Sequence, residues 1–177
     1  FETSLGQNGT AKSKKMQDVL TNVSWFDLYE TEETLSTSTT TSHMVWSCQW
    51  DQIMIWLKEM RNNYTSNNAF AILDSTGLGN YADLKLVDET GNVIKEEGVS
   101  IRYKTGEVTN AVIKNIYDLA GNVFEWTMES YYSSLREARG GYCAFDGLTY
   151  SLSSRYAFRP DYNGEYLENI GSRMTIY

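Results

Sequence analysis

Apolar positions between residues 46 and 60 recur at helical spacing: Trp46, Trp50, Ile53, Met54, Leu57 and Met60 follow the i, i+4, i+7, i+8 pattern. The pattern predicts a helix over 47–62, with Ser47 as its cap and Asp51 near its start. Lys58 and Arg61 fall near its end, where they suit the helix dipole. A shorter amphipathic pattern starts at Ser24, which has the capping-box spacing to Asp27. Trp25, Leu28 and Tyr29 share one face of this helix, and Glu30, Glu32 and Glu33 are expected to face water. Residues 4–22 read as a loop, and STSTTTS at 36–42 reads as a polar linker. From residue 62 onward helical periodicity disappears, and Gly, Asn, Asp and Tyr recur between short apolar stretches. GNYADLKLVDETGNVIKEEG at 79–98 predicts a loop or an irregular hairpin turning at 90–92, and GSRMTIY at 171–177 a closing strand. Helices followed by loop-rich β structure define an α+β class, with one domain over 1–177.

Composition narrows the function classes. The 177 residues are 41% hydrophobic and 21% charged, ordinary for a globular chain long enough to bury a sizeable core. The net charge is −8, and the Lys and Arg residues form no stripe, so no nucleic-acid partner is expected. No apolar run reaches the length of a membrane span, and the first segment lacks a signal peptide's apolar core. Cys48 and Cys143 permit one disulfide and imply no disulfide framework. The 13 Tyr and 5 Trp are numerous enough that some rings are expected on the surface, as contact area with few torsions to freeze.

Two stretches carry candidate chemistry. In DLAGNVFEW at 118–126, Gly121 and Asn122 suit positive-φ positions, and Phe124 and Trp126 alternate about Glu125. A carboxylate between large rings needs a partner, for which Arg139 and a bound cation are candidates. Over 142–166, Tyr142, Phe145, Tyr150, Tyr156, Phe158, Tyr162 and Tyr166 alternate with Ser, Asn, Asp and Gly. Rigid rings among small hydrogen-bonding residues, on loops over a scaffold, are the vocabulary of a paratope. The candidate ligand-binding residues are Tyr142, Cys143, Phe145, Asp146, Tyr150, Ser151, Ser153, Tyr156, Asp161 and Tyr162. Tyr156 and Phe158 are expected to be partly buried, and Gly140 and Gly141 to allow close backbone approach. His43 is the chain's one histidine, and an activated Ser would depend on it, so no catalytic residue is assigned.

NIYDLAGNVFEWTMES at 115–130, followed by RGGYC at 139–143 and the closing GSRMTIY, resembles the formylglycine-generating-enzyme (sulfatase-modifying factor) family. LTNVSWFDLYE at 20–30 is similar to that family's Val-Ser-Trp helix start, and FETS at 1–4 to the tail of its first strand. The resemblance implies a C-type lectin-like fold: two helices packed on a small twisted antiparallel sheet, with long irregular loops. It also implies that the chain is the C-terminal part of a longer one. The family's structural calcium would be held by oxygens at Asp118, Gly121, Val123 and Glu125. The family's two copper-binding thiols would fall at Phe145 and Tyr150, with Cys143 displaced; one thiolate cannot replace a two-thiolate copper site, so neither copper nor oxidase activity is expected.

The chain also resembles the variable proteins of diversity-generating retroelements, which use the same fold and diversify a segment between an Arg-Gly-Gly and a closing Gly-x-Arg. The run 142–147 is of the kind that adenine-directed mutagenesis of Asn codons produces. The function so implied is non-catalytic display of the 142–166 surface to a protein or glycan ligand on a cell surface. The implied location is extracellular, on a virion or on a bacterial surface, with any oligomer formed through a parent protein. A divergent oxidase and a calcium-dependent carbohydrate-binding lectin are the alternatives.

Overall fold

A hairpin organises the molecule. The alternating apolar residues of FEWTMESYY form its long strand, and the chain returns through LREAR along the same edge. The computed structural model describes residues 1–6, 9–59, 72–88, 90–161 and 167–177. Before the hairpin lie β1 (Ser4–Leu5), β2 (Ala11–Lys12), α1 (Trp25–Glu33), β3 (Ser42–Met44) and α2 (Ser47–Glu59). β4 (Leu86–Val87), β5 (Val93–Lys95), β6 (Val112–Ile113) and β7 (Ile116–Tyr117) follow. The hairpin is β8 (Phe124–Tyr132) and β9 (Leu135–Arg139); β10 (Arg155–Phe158), β11 (Ile170–Ser172) and β12 (Met174–Ile176) complete the order.

The largest sheet runs β10–β9–β8–β11. β10, β9 and β8 are antiparallel, but β11 is parallel to β8, with Ile170 opposite Phe124 and Ser172 opposite Trp126. The expectation of a purely antiparallel sheet is therefore corrected. A parallel pair needs a long crossover, and residues 140–169 supply it. β12 leaves this sheet and pairs antiparallel with β3.

Both helices form as the pattern predicts, with three differences. Ser24 caps α1, its hydroxyl accepting the Asp27 amide at 3.1 Å. Glu32, expected in water, is fully buried beside Trp25 and Leu28. Ser47 does not cap α2: its hydroxyl donates to Glu137 instead, and the Gln49 side chain accepts the Trp46 amide at 2.9 Å. Trp46 is exposed for the same reason, lying just before the helix, while Trp50 and Met54 are buried. Met60 and Arg61 lie outside the described residues. The hairpin around 90–92 forms from β4 and β5, and the Asp88 carboxylate accepts the Thr90 and Asn92 amides across its turn.

Among the described residues, a small apolar cluster of Leu86, Val108 and Ala111 accompanies two larger ones. One gathers Trp50, Met54, Tyr81, Leu119 and Leu152; the other gathers Trp25, Leu28, Met44, Phe124, Trp126 and Ile170. Each tryptophan that bridges toward the sheet finds an acceptor, Trp25 Nε1 at Thr127 O (2.8 Å) and Trp50 Nε1 at Leu152 O (3.1 Å). Among the described residues no helix is long and apolar enough to cross a membrane.

Candidate ligand pocket

The site is built where β9 ends. Gly140 and Gly141 adopt φ of 88° and 81°, a left-handed turn that lifts the chain off the sheet. A Cβ on Gly141 would lie 2.3 Å from the Tyr150 carbonyl oxygen, so only glycine admits this approach. The fully buried Tyr81 hydroxyl lies 2.8 Å from the carbonyl oxygens of both Gly140 and Tyr150, pinning the loop's two ends together. Further backbone bonds tie the loop to the framework: Ala82 N to Phe145 O (2.9 Å), Ser75 N to Gly147 O (2.8 Å) and Ser153 N to Ile72 O (3.0 Å). The Asp146 carboxylate accepts the Thr149 amide at 2.6 Å, which holds that group below the usual carboxylate range.

With its backbone held this way, the loop projects rings over Phe124 and Ile170. Phe124, Tyr142, Phe145, Tyr150, Tyr156 and Phe158, with Asn169 and Ile170, enclose a cavity of about 280 Å³. Tyr150 stacks with Phe145 (4.1 Å between centroids, 12° between planes) and with Tyr156 (5.1 Å, 17°). Phe124 is the hub, 5.0 Å from Tyr156 and 5.5 Å from Phe158. Tyr142 meets Phe145 edge to face at 78°. Burial, with the Cys143 thiol beside it, pushes the Tyr142 phenol up to about 12, so it stays protonated.

Of the sequence candidates, Tyr142, Phe145, Tyr150 and Tyr156 come together here, half-buried. Asp146 lies on the far side of Phe145, Ser153 is half-buried in the loop's packing, and Asp161 is exposed away from the cavity. Cys143 and Ser151 are corrections, since both are buried. Neither lines the cavity: the Cys143 amide bonds Asn122 O, and the Ser151 hydroxyl lies 3.2 Å from those of Ser153 and Ser154. Burial also pushes the Cys143 thiol up. Tyr162 and Tyr166 lie outside the described residues. The pocket residues missing from the candidates are Phe124, Phe158, Asn169 and Ile170. Phe124 was legible as a buried ring and Phe158 as a half-buried one; nothing in the sequence signals Asn169 or Ile170, which reach the site through the parallel pairing of β11.

Beneath the pocket, Asp118, Gly121, Val123 and Glu125 are all buried. Both Glu125 carboxylate oxygens accept from Arg173, at 2.7 and 2.8 Å, and Arg173 also donates to the carbonyls of Tyr117 (2.8 Å) and Asp118 (3.2 Å). Calcium would draw on six to eight oxygens, and the guanidinium already holds those of Glu125 and the Asp118 carbonyl. In this arrangement the four residues do not fit a calcium ion. Arg139 is not the partner of Glu125; it bonds Asp51 at 2.6 Å, in a network with Glu137 and Arg155. Gly121 and Asn122 take the positive φ expected of them, 71° and 64°. His43 is buried, with Nδ1 2.5 Å from Met44 O, and packs edge-on against Trp46 and Tyr177.

The chain has a C-type lectin-like fold. Three solved structures carry that likeness. It superposes on CarF with a TM-score of 0.56 at 15% identity, covering 88% of this chain and 66% of CarF. For Treponema denticola variable protein 1 the TM-score is 0.55 at 14% identity, covering 98% of this chain and 75% of the other. For PvdO from Pseudomonas aeruginosa it is 0.55 at 16%, covering 97% and 69%. Compared by sequence, the chain matches no family model and no curated protein. It thus spans about two-thirds to three-quarters of the length of these three structures, and the likeness establishes a shared fold.

Proposed function

We propose that this chain is a non-catalytic ligand-binding domain whose site is the aromatic pocket over Phe124, and that it acts as a recognition module at a cell or virion surface. One observation carries the reading. Five of the six rings come from the single segment 142–158, while the bonds that hold that segment in place are largely backbone bonds. Ring identity can therefore change without dismantling the support, which is the property a diversified binding surface needs. The fold shared with Treponema denticola variable protein 1 accords with this.

The resemblance to formylglycine-generating enzymes does not extend to their chemistry. Their two thiol positions correspond to Phe145 and Tyr150, which here stack face to face. Cys143 is buried with its thiol pushed up, unsuited to act as a thiolate. A test uses the fluorescently labelled domain on intact bacterial and animal cells, beside a Phe145→Ala/Tyr156→Ala variant checked for folding by its melting curve. Saturable binding that falls at least tenfold in the folded variant is expected. Equal binding by the variant removes the pocket reading, and copper-dependent oxygen uptake with a cysteine-containing peptide restores the oxidase alternative.

A further inference from the structure

We infer that the aromatic pocket takes a quaternary ammonium ion of choline size, one carrying no anionic group next to its charge. The inference rests on the pocket reading above and adds the chemistry of the ligand.

The walls carry the first part of the argument. Phe124 is tilted by 52° to Phe145, 60° to Tyr150, 56° to Tyr156 and 55° to Phe158, and Tyr142 stands at 78° to Phe145. Phe145, Tyr150 and Tyr156 form one near-parallel stack, and Phe124 and Tyr142 tilt against it, so ring faces and edges of two orientations wall the cavity. The faces carry negative charge density, which attracts a cation and repels an anion.

The lining carries the second part. Among the described residues no charged side chain lines the cavity, and the Tyr156 hydroxyl is already committed to Thr149 O at 3.0 Å. A primary ammonium needs an acceptor for each of its three N–H donors. A trimethylammonium head has no donors to satisfy. The volume, about 280 Å³, falls just below the ~300–1,000 Å³ of drug-sized ligand pockets and suits a small head group.

The surroundings supply the third part. Phe145 is also a wall of an open depression that contains the carboxylates of Asp83, Glu97 and Asp146. Two cations also lie near the loop, Lys95 bonding the carbonyls of Tyr81 and Val99 and Arg102 the Glu168 carbonyl and the Thr21 hydroxyl, contacts that fix their positions without neutralising them. On the Phe145 side of the mouth the three carboxylates favour a cation over a phosphate.

Calorimetric titration of the 177-residue chain with choline chloride tests this, beside 3,3-dimethylbutan-1-ol, the uncharged carbon isostere of choline, and phosphocholine. Choline is expected to bind at least tenfold more tightly than the isostere and more tightly than phosphocholine. Phe145→Leu and Tyr156→Leu, which keep apolar bulk and lose the π-face, should bring choline down to the isostere's affinity while retaining the melting curve. An isostere that binds as well as choline overturns the cation inference and leaves the pocket as an apolar site. Failure of choline to bind also overturns it, and the cell-binding comparison then decides separately whether the pocket is a site at all. Tighter binding of phosphocholine, or full choline affinity in both folded Leu variants, contradicts it too.

Discussion

Glu32 illustrates how residue type and helical phase can disagree. Trp25, Leu28 and Glu32 follow i, i+3, i+7, so phase places the carboxylate on the buried stripe although its charge suggests water. The fold accommodates it with two hydroxyls: Thr3 Oγ1 donates to Glu32 Oε1 at 2.5 Å and Ser172 Oγ at 2.6 Å. Burial outweighs these bonds and pushes the group up to about 7. The folded state then holds a proton that the unfolded chain releases near pH 4.5. This contribution is fully present below that pH and is lost as pH rises to about 7, at about 1.4 kcal/mol per pH unit. Glu32→Gln, an uncharged replacement of the same shape, should remove it. Urea unfolding at pH 5 and pH 8 should give a stability difference about 3 kcal/mol smaller in the variant than in the parent chain. An identical difference in both would mean that Glu32 is ionised in the folded protein.

At the scale of elements, the closing GSRMTIY is the instructive segment. Its apolar alternation predicts one strand, yet the chain breaks it at Arg173 into β11, parallel to β8, and β12, antiparallel to β3. Arg173 turns inward at the break because Glu125, on the opposite face from Phe124 and Trp126, needs a cation. Alternation along β8 was legible in the sequence, as were both helices, the 90–92 turn and the glycine pair. Each depends on spacing within a few residues. The partner of Glu125, the parallel register of β11 and the diversion of Ser47 to Glu137 depend on segments 48, 46 and 90 residues away, and local pattern carries no such information. Arg173→Met should cost about 3–5 kcal/mol by leaving a buried carboxylate unpaired. Adding Glu125→Gln to it should recover part of that loss. EDTA should leave the parent chain's melting temperature unchanged, since the guanidinium serves where the family's ion would sit. A fall with EDTA that calcium reverses would mean that the folded chain binds the ion after all.

Considered as a whole, the molecule divides its aromatic residues between two roles. Trp50 and Trp126 are fully buried, one in each of the two larger apolar clusters, and Phe124 is both the top of Trp126's cluster and the floor of the pocket. Tyr142, Phe145 and Tyr156 are half-buried above that floor, packed against it yet open on the cavity side. If the framework is independent of what the pocket displays, the two groups should separate in energy. Tyr142→Ala, Phe145→Ala and Tyr156→Ala should each cost about 1–2 kcal/mol, for half-burial and the loss of one or two ring contacts. Trp50→Ala, Trp126→Ala and Phe124→Ala should cost about 3–5 kcal/mol, the range for truncating a fully buried ring. Cys143→Ser belongs with the framework rather than the display, because its side chain lies under the loop; a buried hydroxyl there should cost about 1–3 kcal/mol. Urea midpoints of the seven variants at one pH measure the division. Were the three pocket rings to cost as much as Trp126, the segment after Gly141 would be core that happens to enclose a void. Its rings could not then vary without unfolding the protein, and a recognition surface would have to be sought elsewhere on the fold.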